Sequence, residues 1–350
     1  MEVWLMNGLV LEGGTFRPIF SSGVMDALLT EDIMLPYCIG VSAGIADGVS
    51  YISKQKGRNL DIITKYRNDK RYMGPGNYRK QKSLFGLDFV FGEIPDKLVP
   101  FDKETFFSYE GTCKVGVTNA KTGEAECLNA MDMDEKYRML RATCALPLFF
   151  PAIDVNGTKY YDGGLSSIIP VEKAMEDGCD KLLVVLTQPK GYVKKFGKYD
   201  KMGARLLARK YPKVRDLILS RPDRYNELIK KCEQWEREGR IMIIRPNHLL
   251  NSFEGNIQKL EACYWHGYRM TKEKMKKAWS IMQASAKKPL KENIVSMGGM
   301  IGGESRKLHT LRENKKNLCG DVVSKAIAYA VGVLEVNASM GLSVAAPTAG

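Results

Sequence analysis

Met34-Leu35-Pro36-Tyr37-Cys38-Ile39-Gly40-Val41-Ser42-Ala43-Gly44 runs from an apolar segment into a serine flanked by glycines, and the residues that follow, from Ala46 to Ser53, have helical character. This is the strand–turn–helix setting that a G-x-S-x-G nucleophile elbow requires. Gly40 and Gly44 let the chain turn tightly and approach itself, so that the serine hydroxyl is raised clear of the sheet edge. The pentapeptide alone is a weak pattern, and its position is what makes it informative. It points to an acyl-transferring serine hydrolase.

Working outward, the segment before it has the same grammar. Gly8-Leu9-Val10-Leu11 is a short apolar strand leading into Glu12-Gly13-Gly14-Thr15-Phe16-Arg17, and apolar residues then recur at helical spacing from Ser22 to Leu29. Two consecutive strand–glycine turn–helix units imply a parallel sheet covered by helices, with ligands bound beyond the carboxyl ends of the strands. From Arg58 to Phe107 the pattern loosens into an irregular excursion with short helices. Lys114–Asn119 and Glu124–Asn129 read as a hairpin around Lys121-Thr122-Gly123, and Met139–Cys144 as a helix. Ala152–Asp162 reads as two short strands around Asn156-Gly157, ending in Asp162-Gly163-Gly164. A helix from Val171 to Asp177, a strand at Lys181–Thr187, another at Ile241–Pro246 and a helix at Ile257–Gly267 complete this part.

Composition sets the limits. The 350 residues suffice for one large α/β domain or two smaller ones, and 44% hydrophobic with 27% charged residues is a globular balance. The eight cysteines are scattered without a C-x-x-C pair, which favours reduced thiols over a disulfide framework or a zinc site. The N-terminus has no secretory signal pattern, and no segment approaches the roughly 20 apolar residues needed to span a bilayer. A soluble, cytoplasmic protein is the expectation. The net charge of +13 attracts polyanions without choosing between nucleic acid and an anionic membrane, and no nucleic-acid module signature is present, so no nucleic-acid partner is predicted. The basic, aromatic stretch from Lys190 to Arg240, with Tyr192, Phe196, Tyr199, Tyr211 and Trp235, is compatible with peripheral contact to anionic lipid. A solvated helical face is the preferred reading.

Three features fit one mechanism. Ser42 is the candidate nucleophile and needs an adjacent base. Gly13-Gly14-Thr15, with Arg17, form a turn at a helix start whose free N–H groups can face a developing oxyanion. Arg17 is at least as suited to pairing with a carboxylate across the turn as to touching substrate. Asp162, at a strand tip and held by Gly163 and Gly164, can accept the serine proton. Of the three histidines, His266 lies in a helical stretch and His248 in a loop, so a Ser–Asp dyad is preferred over a Ser–His–Asp triad through His248. No metal or organic cofactor is required.

In order and spacing, Leu9–Gly14 with Arg17, Gly40–Gly44, the approach Ala145-Leu146-Pro147-Leu148-Phe149-Phe150-Pro151 and Asp162-Gly163-Gly164 resemble the bacterial patatin-like phospholipase family over residues 1 to about 270. The resemblance implies a three-layer α/β/α sandwich with a mostly parallel central sheet. It also implies hydrolysis of lipid or phospholipid carboxyl esters, with Ser42 as nucleophile, Asp162 as base and the Gly13–Thr15 amides as oxyanion hole. That family's loop is usually G-G-G-x-R-G; here Thr15 and Pro18 replace the third and last glycines. A β-branched Thr15 is strained if its φ is positive, and Pro18 offers no N–H. A second reading is therefore a lipid- or partner-binding protein of the same fold with a weakened oxyanion hole.

After about Thr271 the character changes to a Lys-rich helix, a Gly298–Gly303 run and an Ala/Val-rich helix near Val322–Leu334. Ser296-Met297-Gly298-Gly299 through Ala346–Gly350, and most sharply Leu334–Gly341, resemble the front of an iron–sulfur-dependent L-serine dehydratase α subunit. Such an enzyme needs several cysteine thiolates for its cluster, and this segment has only Cys319. Residues 271–350 are read as a truncated, appended segment without dehydratase activity. The glycine run is read as a linker, since it lacks the Lys-Ser/Thr of a phosphate loop.

Overall fold

A computed structural model describes residues 6–296, 298–316 and 318–339, without the side chain of Tyr199. Of the sequence expectations, those on Tyr199 as an interfacial ring, on Met297 and on Met340–Gly350 lie outside the described residues. The chain forms two compact units, Met1–Thr271 and Lys272–Gly350.

The first unit is built on a mixed eight-stranded sheet: β1 (Met6–Leu11), β2 (Tyr37–Val41), β3 (Thr112–Asn119), β4 (Ala125–Asn129), β5 (Ile153–Val155), β6 (Thr158–Asp162), β7 (Cys179–Val185) and β8 (Ile241–Ile244). The order is β5-β6-β3-β2-β1-β7-β8, with β4 on β3. The β3–β2–β1–β7–β8 run is parallel throughout. Every residue of β2 is buried, as expected of a parallel strand covered on both faces by helices. The helix α1 (Ile19–Thr30) follows β1, and α2 (Ala43–Ile52) follows β2. The α/β architecture with a mostly parallel sheet read from the two glycine units is thus the one observed.

Two details of this sheet position the site. β3 pairs with β2 through residues up to Gly116, opposite Val41, and with β6 from Val117 onward, opposite Asp162. β4 spans both stretches of β3 and must occupy its other edge, so β2 and β6 share one edge end to end. The residue after Val41 is Ser42. The register therefore sets Ser42 beside Asp162, though they are far apart in sequence.

α1 also packs without side chains between it and the helix Ile257–Lys291. A Cβ at Gly23 would lie 2.0 Å from the carbonyl oxygen of Tyr264, and one at Gly267 would lie 2.2 Å from that of Phe20. The Tyr264 hydroxyl donates to Asp26 at 2.6 Å across the same contact. The helix Ile257–Lys291 is much longer than the Ile257–Gly267 expected from sequence. Among the described residues no helix is long and apolar enough to cross a membrane.

The second unit is helical, with Glu304–Glu313 and Gly320–Ala338 packed together. Ser305 joins them, its hydroxyl donating to the Ala328 carbonyl at 2.7 Å and its N–H to the Glu335 carboxylate at 2.9 Å. The Gly298–Gly303 run closes a turn through a bridge between Val295 and Gly302.

Candidate active site

Ser42 is the N-cap of α2, with φ 55° and ψ −144°, a conformation that L-residues adopt only under constraint. The constraint is visible. Ser42 N–H donates to the Thr143 hydroxyl at 2.7 Å, and that hydroxyl donates to the Gly116 carbonyl at 2.6 Å. On the other side the elbow is pressed against the loop after β1. A Cβ at Gly44 would lie 2.5 Å from the Glu12 carbonyl oxygen, one at Gly40 2.9 Å from Leu11 Cβ, and one at Gly13 2.6 Å from the Cβ of Ser42 itself. Larger residues at these positions would push Ser42 out of line.

Asp162 is 1% exposed and Ser42 6%. The Asp162 Oδ1 accepts the Gly164 N–H at 2.8 Å, while Oδ2 has no hydrogen bond of full geometry. Burial pushes this carboxyl up to about 6, although the neighbouring Ser42 hydroxyl, Arg221 and the Gly164 N–H all favour its ionised form. A carboxylate in that range beside a hydroxyl is suited to proton transfer near neutral pH. Gly163 follows at a point where a Cβ would meet the Gly116 carbonyl oxygen at 2.2 Å, so only glycine lets the turn close on β3.

The third element is the loop 13–17. Among the described residues, no acceptor is recorded for the N–H groups of Gly13, Gly14 or Thr15. Thr15 has φ 59°, the positive value at which a β-branched side chain is strained. Pro18 has φ −60° at the start of α1, where an N–H has no helical partner to lose. Replacing Thr15 by glycine is expected to raise the unfolding free energy by about 1 kcal/mol, because the strain released exceeds the added chain entropy. Urea titration checks this, and an unchanged or lower midpoint would refute it.

Arg17 does not make the carboxylate pair considered from the sequence. Its guanidinium lies under Gly14 and donates to the Ser252 hydroxyl at 2.9 Å, and its partial withdrawal from water lowers its pKa against the opposing pull of Glu12. Phe16 N–H donates to the Ser252 carbonyl at 3.2 Å, and Thr187 fixes the loop's start through Glu12 and the Gly13 carbonyl.

Ser42 lines two cavities of about 1140 and 1220 Å³, mouths included. The first is walled mainly by apolar side chains, including Phe16, Phe85, Phe91, Phe101, Phe149 and Phe150, with Asp47, Arg58 and Asn59 as polar members. Much of this wall comes from the 58–107 stretch that has no clear pattern in sequence. The second cavity is the more polar of the two and contains Asp162, Arg17, Lys194, Arg221, Tyr192 and Tyr225. Neither cavity is lined by a histidine; His248 and His266 lie beside each other, rings tilted at 38° with centroids 6.3 Å apart, and His266 packs edge-on to Phe20.

Sequence reasoning missed Thr143, Lys194 and Arg221. Tyr192, Tyr211 and Trp235 pack against the core rather than forming an interfacial row, while Phe196 is exposed. The preferred solvated face holds for much of 190–240, but Lys194 and Arg221 turn inward.

A helix-covered, mostly parallel sheet with a serine on the turn after a central strand defines an α/β protein of the nucleophile-elbow type. Residues 9–175 match the family described as patatin-like phospholipase. Residues 211–283 match a domain of unknown function, DUF6363, which contributes β8 and Arg221 to the same unit. The uncharacterized protein YjjU of Escherichia coli (strain K12) is 27% identical over 185 residues, 52% of this chain and 52% of that protein. The L-serine dehydratase alpha chain of Peptoniphilus asaccharolyticus is 40% identical over 79 residues, 23% of this chain and 27% of that protein. The chain thus spans about half the length of the first relative and about a quarter of the second. The crystal structure of VipD from Legionella pneumophila aligns over 96% of this chain and 85% of that chain at 13% identity with a TM-score of 0.36, too weak a likeness to carry function across.

Proposed function

We propose that this protein is a serine acyl hydrolase that cleaves carboxyl esters of lipids through a Ser42–Asp162 dyad. Ser42 Oγ attacks the ester carbonyl carbon as its proton passes to Asp162. The oxyanion is met by the N–H groups of Gly13, Gly14 and Thr15. Collapse of the tetrahedral intermediate expels the alcohol, which takes the proton from Asp162 and leaves an acyl-serine. Water, deprotonated by Asp162, then attacks the acyl carbon and releases the acid, and the proton returns to Ser42. The acyl chain occupies the apolar cavity, which excludes water from the ester. The observation that carries this reading is the buried serine–aspartate pair at the junction of an apolar and a polar cavity.

Thr15 and Pro18 motivated the alternative of a non-catalytic lipid-binding protein. Since, among the described residues, no acceptor takes any of the three loop N–H groups, the hydrolase reading is preferred. The dehydratase likeness covers 27% of that protein and brings a segment with one cysteine, so serine deamination is not assigned to this chain. The test is a fluorophosphonate probe. The native chain should be labelled and Ser42→Ala should not, and labelling that survives this substitution would remove Ser42 from the mechanism.

A further inference from the structure

The polar cavity beside Ser42 contains more hydrogen-bond donors than the dyad uses. Arg17, Lys194 and Arg221 all line it, and among the described residues none has an ion-pair partner. The Nε atoms of Arg17 and Arg221 are buried without an acceptor. The backbone that carries Lys194 and Arg221 is held in place. The Lys194 main chain is clamped by Asn226, which accepts its N–H at 2.8 Å and donates to its carbonyl at 3.0 Å. Arg221 sits on the helix Pro212–Arg237, and Arg224, one turn on, ties that helix to the turn after Asp162 by donating to the Ser166 carbonyl at 2.9 Å.

The acidic groups of the cavity are otherwise engaged. Glu12 accepts the Thr187 N–H at 2.6 Å, and Asp200 accepts the Gly197 N–H at 2.8 Å at a helix start. The Tyr225 ring, which would suit an ammonium head group, already faces the Lys194 ammonium at 5.7 Å. Burial brings Lys194 down to about 8, with Arg221 and Arg17 adding to the effect, so an anion at this spot would relieve all three cations. A phosphoryl group supplies several charged acceptor oxygens at once and matches both the guanidinium fork and the ammonium.

Resting on the acyl-hydrolase reading, we propose that Arg17, Lys194 and Arg221 form a phosphoryl subsite that holds the head group of the substrate while its acyl chain lies in the apolar cavity. The preferred substrate is then a monoacyl phosphomonoester rather than a neutral glyceride or a choline ester.

The experiment has one arm with turnover and one without. With the full chain, kcat/KM is compared for a monoacylglycerol 3-phosphate and the monoacylglycerol of the same chain length. The phosphate ester should be favoured about tenfold or more, and Lys194→Gln and Arg221→Gln should each cut that ratio about tenfold. The charge-keeping Lys194→Arg and Arg221→Lys should retain most of it, which separates loss of charge from loss of fold. In the Ser42→Ala background, calorimetry should show the phosphate ester binding more tightly than the neutral one and competing with inorganic phosphate. Equal binding of the two esters, or a ratio unmoved by the glutamine variants, would overturn the subsite. Inorganic phosphate that binds without displacing the ester would reassign it as a free-anion site and overturn the head-group role. Tight phosphate-ester binding by Ser42→Ala with no turnover of any ester by the native chain would overturn the hydrolase reading and leave the subsite standing.

Discussion

Asp162→Asn is expected to lower kcat for ester hydrolysis by about 10²–10⁴-fold and, at neutral pH, to make the protein more stable. The asparagine keeps an acceptor for the Gly164 N–H but cannot take a proton from Ser42. The stability gain follows from linkage. The folded-state carboxyl is raised to about 6 from 3.8, so between these values the folded chain holds a proton that the unfolded chain has lost. Stability is therefore lost as pH rises through this window, and the deficit is complete above it. At about 1.4 kcal/mol per pH unit, removing the ionisable group should recover on the order of 1–3 kcal/mol above pH ~6. The same titration sets the native rate: kcat/KM should fall about tenfold per pH unit below ~6 and level off above it. Urea denaturation at several pH values, paired with pH–rate profiles, checks both halves. A variant that keeps its activity, or one less stable than the native chain at pH ~8, would contradict the role given to this residue.

Gly23→Ala and Gly267→Ala should each destabilise the first unit by about 3 kcal/mol or more, against the usual trend. Alanine in a helix interior normally gains about 1 kcal/mol over glycine. Here the added methyl would meet a backbone carbonyl at 2.0 or 2.2 Å, and a backbone cannot step aside as a flexible side chain can. α1 and the helix Ile257–Lys291 would have to separate, straining the Tyr264–Asp26 hydrogen bond. Gly76, exposed on the short helix Pro75–Gln81 with nothing near its would-be Cβ, is the internal control and should gain stability as alanine. Thermal or urea unfolding of the three variants decides the matter, and a stabilised Gly23→Ala or Gly267→Ala would show that the two helices are not in backbone contact.

The parts of the site that were legible in the sequence are those whose chemistry is local. Ser42 with its glycines, the loop 13–15 and Asp162 with its two glycines each form a short pattern, because a tight turn and a close backbone approach leave few residue types available. The strands were legible for a similar reason, since a doubly covered parallel sheet demands continuous apolar runs such as that of β2. What did not show depends on contacts between distant segments. Lys194 and Arg221 lie in a stretch so rich in Lys and Arg that two inward-facing cations look like their solvated neighbours. Thr143 holds the elbow through one hydroxyl at the end of an ordinary helical turn. The aromatic wall from residues 58–107 has no period because those residues line a cavity rather than one face of a regular element. The strain at Thr15 was conditional on a positive φ, which only the coordinates could supply.

Ser252 takes both a side-chain and a main-chain hydrogen bond from the loop that begins after β1. Arg67 donates to the carbonyls of Phe253 and Glu254 at 2.9 and 2.7 Å, bracing the same segment from the other side. The loop that would receive the oxyanion is thus anchored some 75 residues beyond the end of the recognised patatin match at residue 175. The portable unit of this protein is larger than the stretch that matches the patatin-like signature. A transplant or truncation made at the signature's edge would carry Ser42 and Asp162 intact and leave behind the segment that holds the 13–17 loop in place.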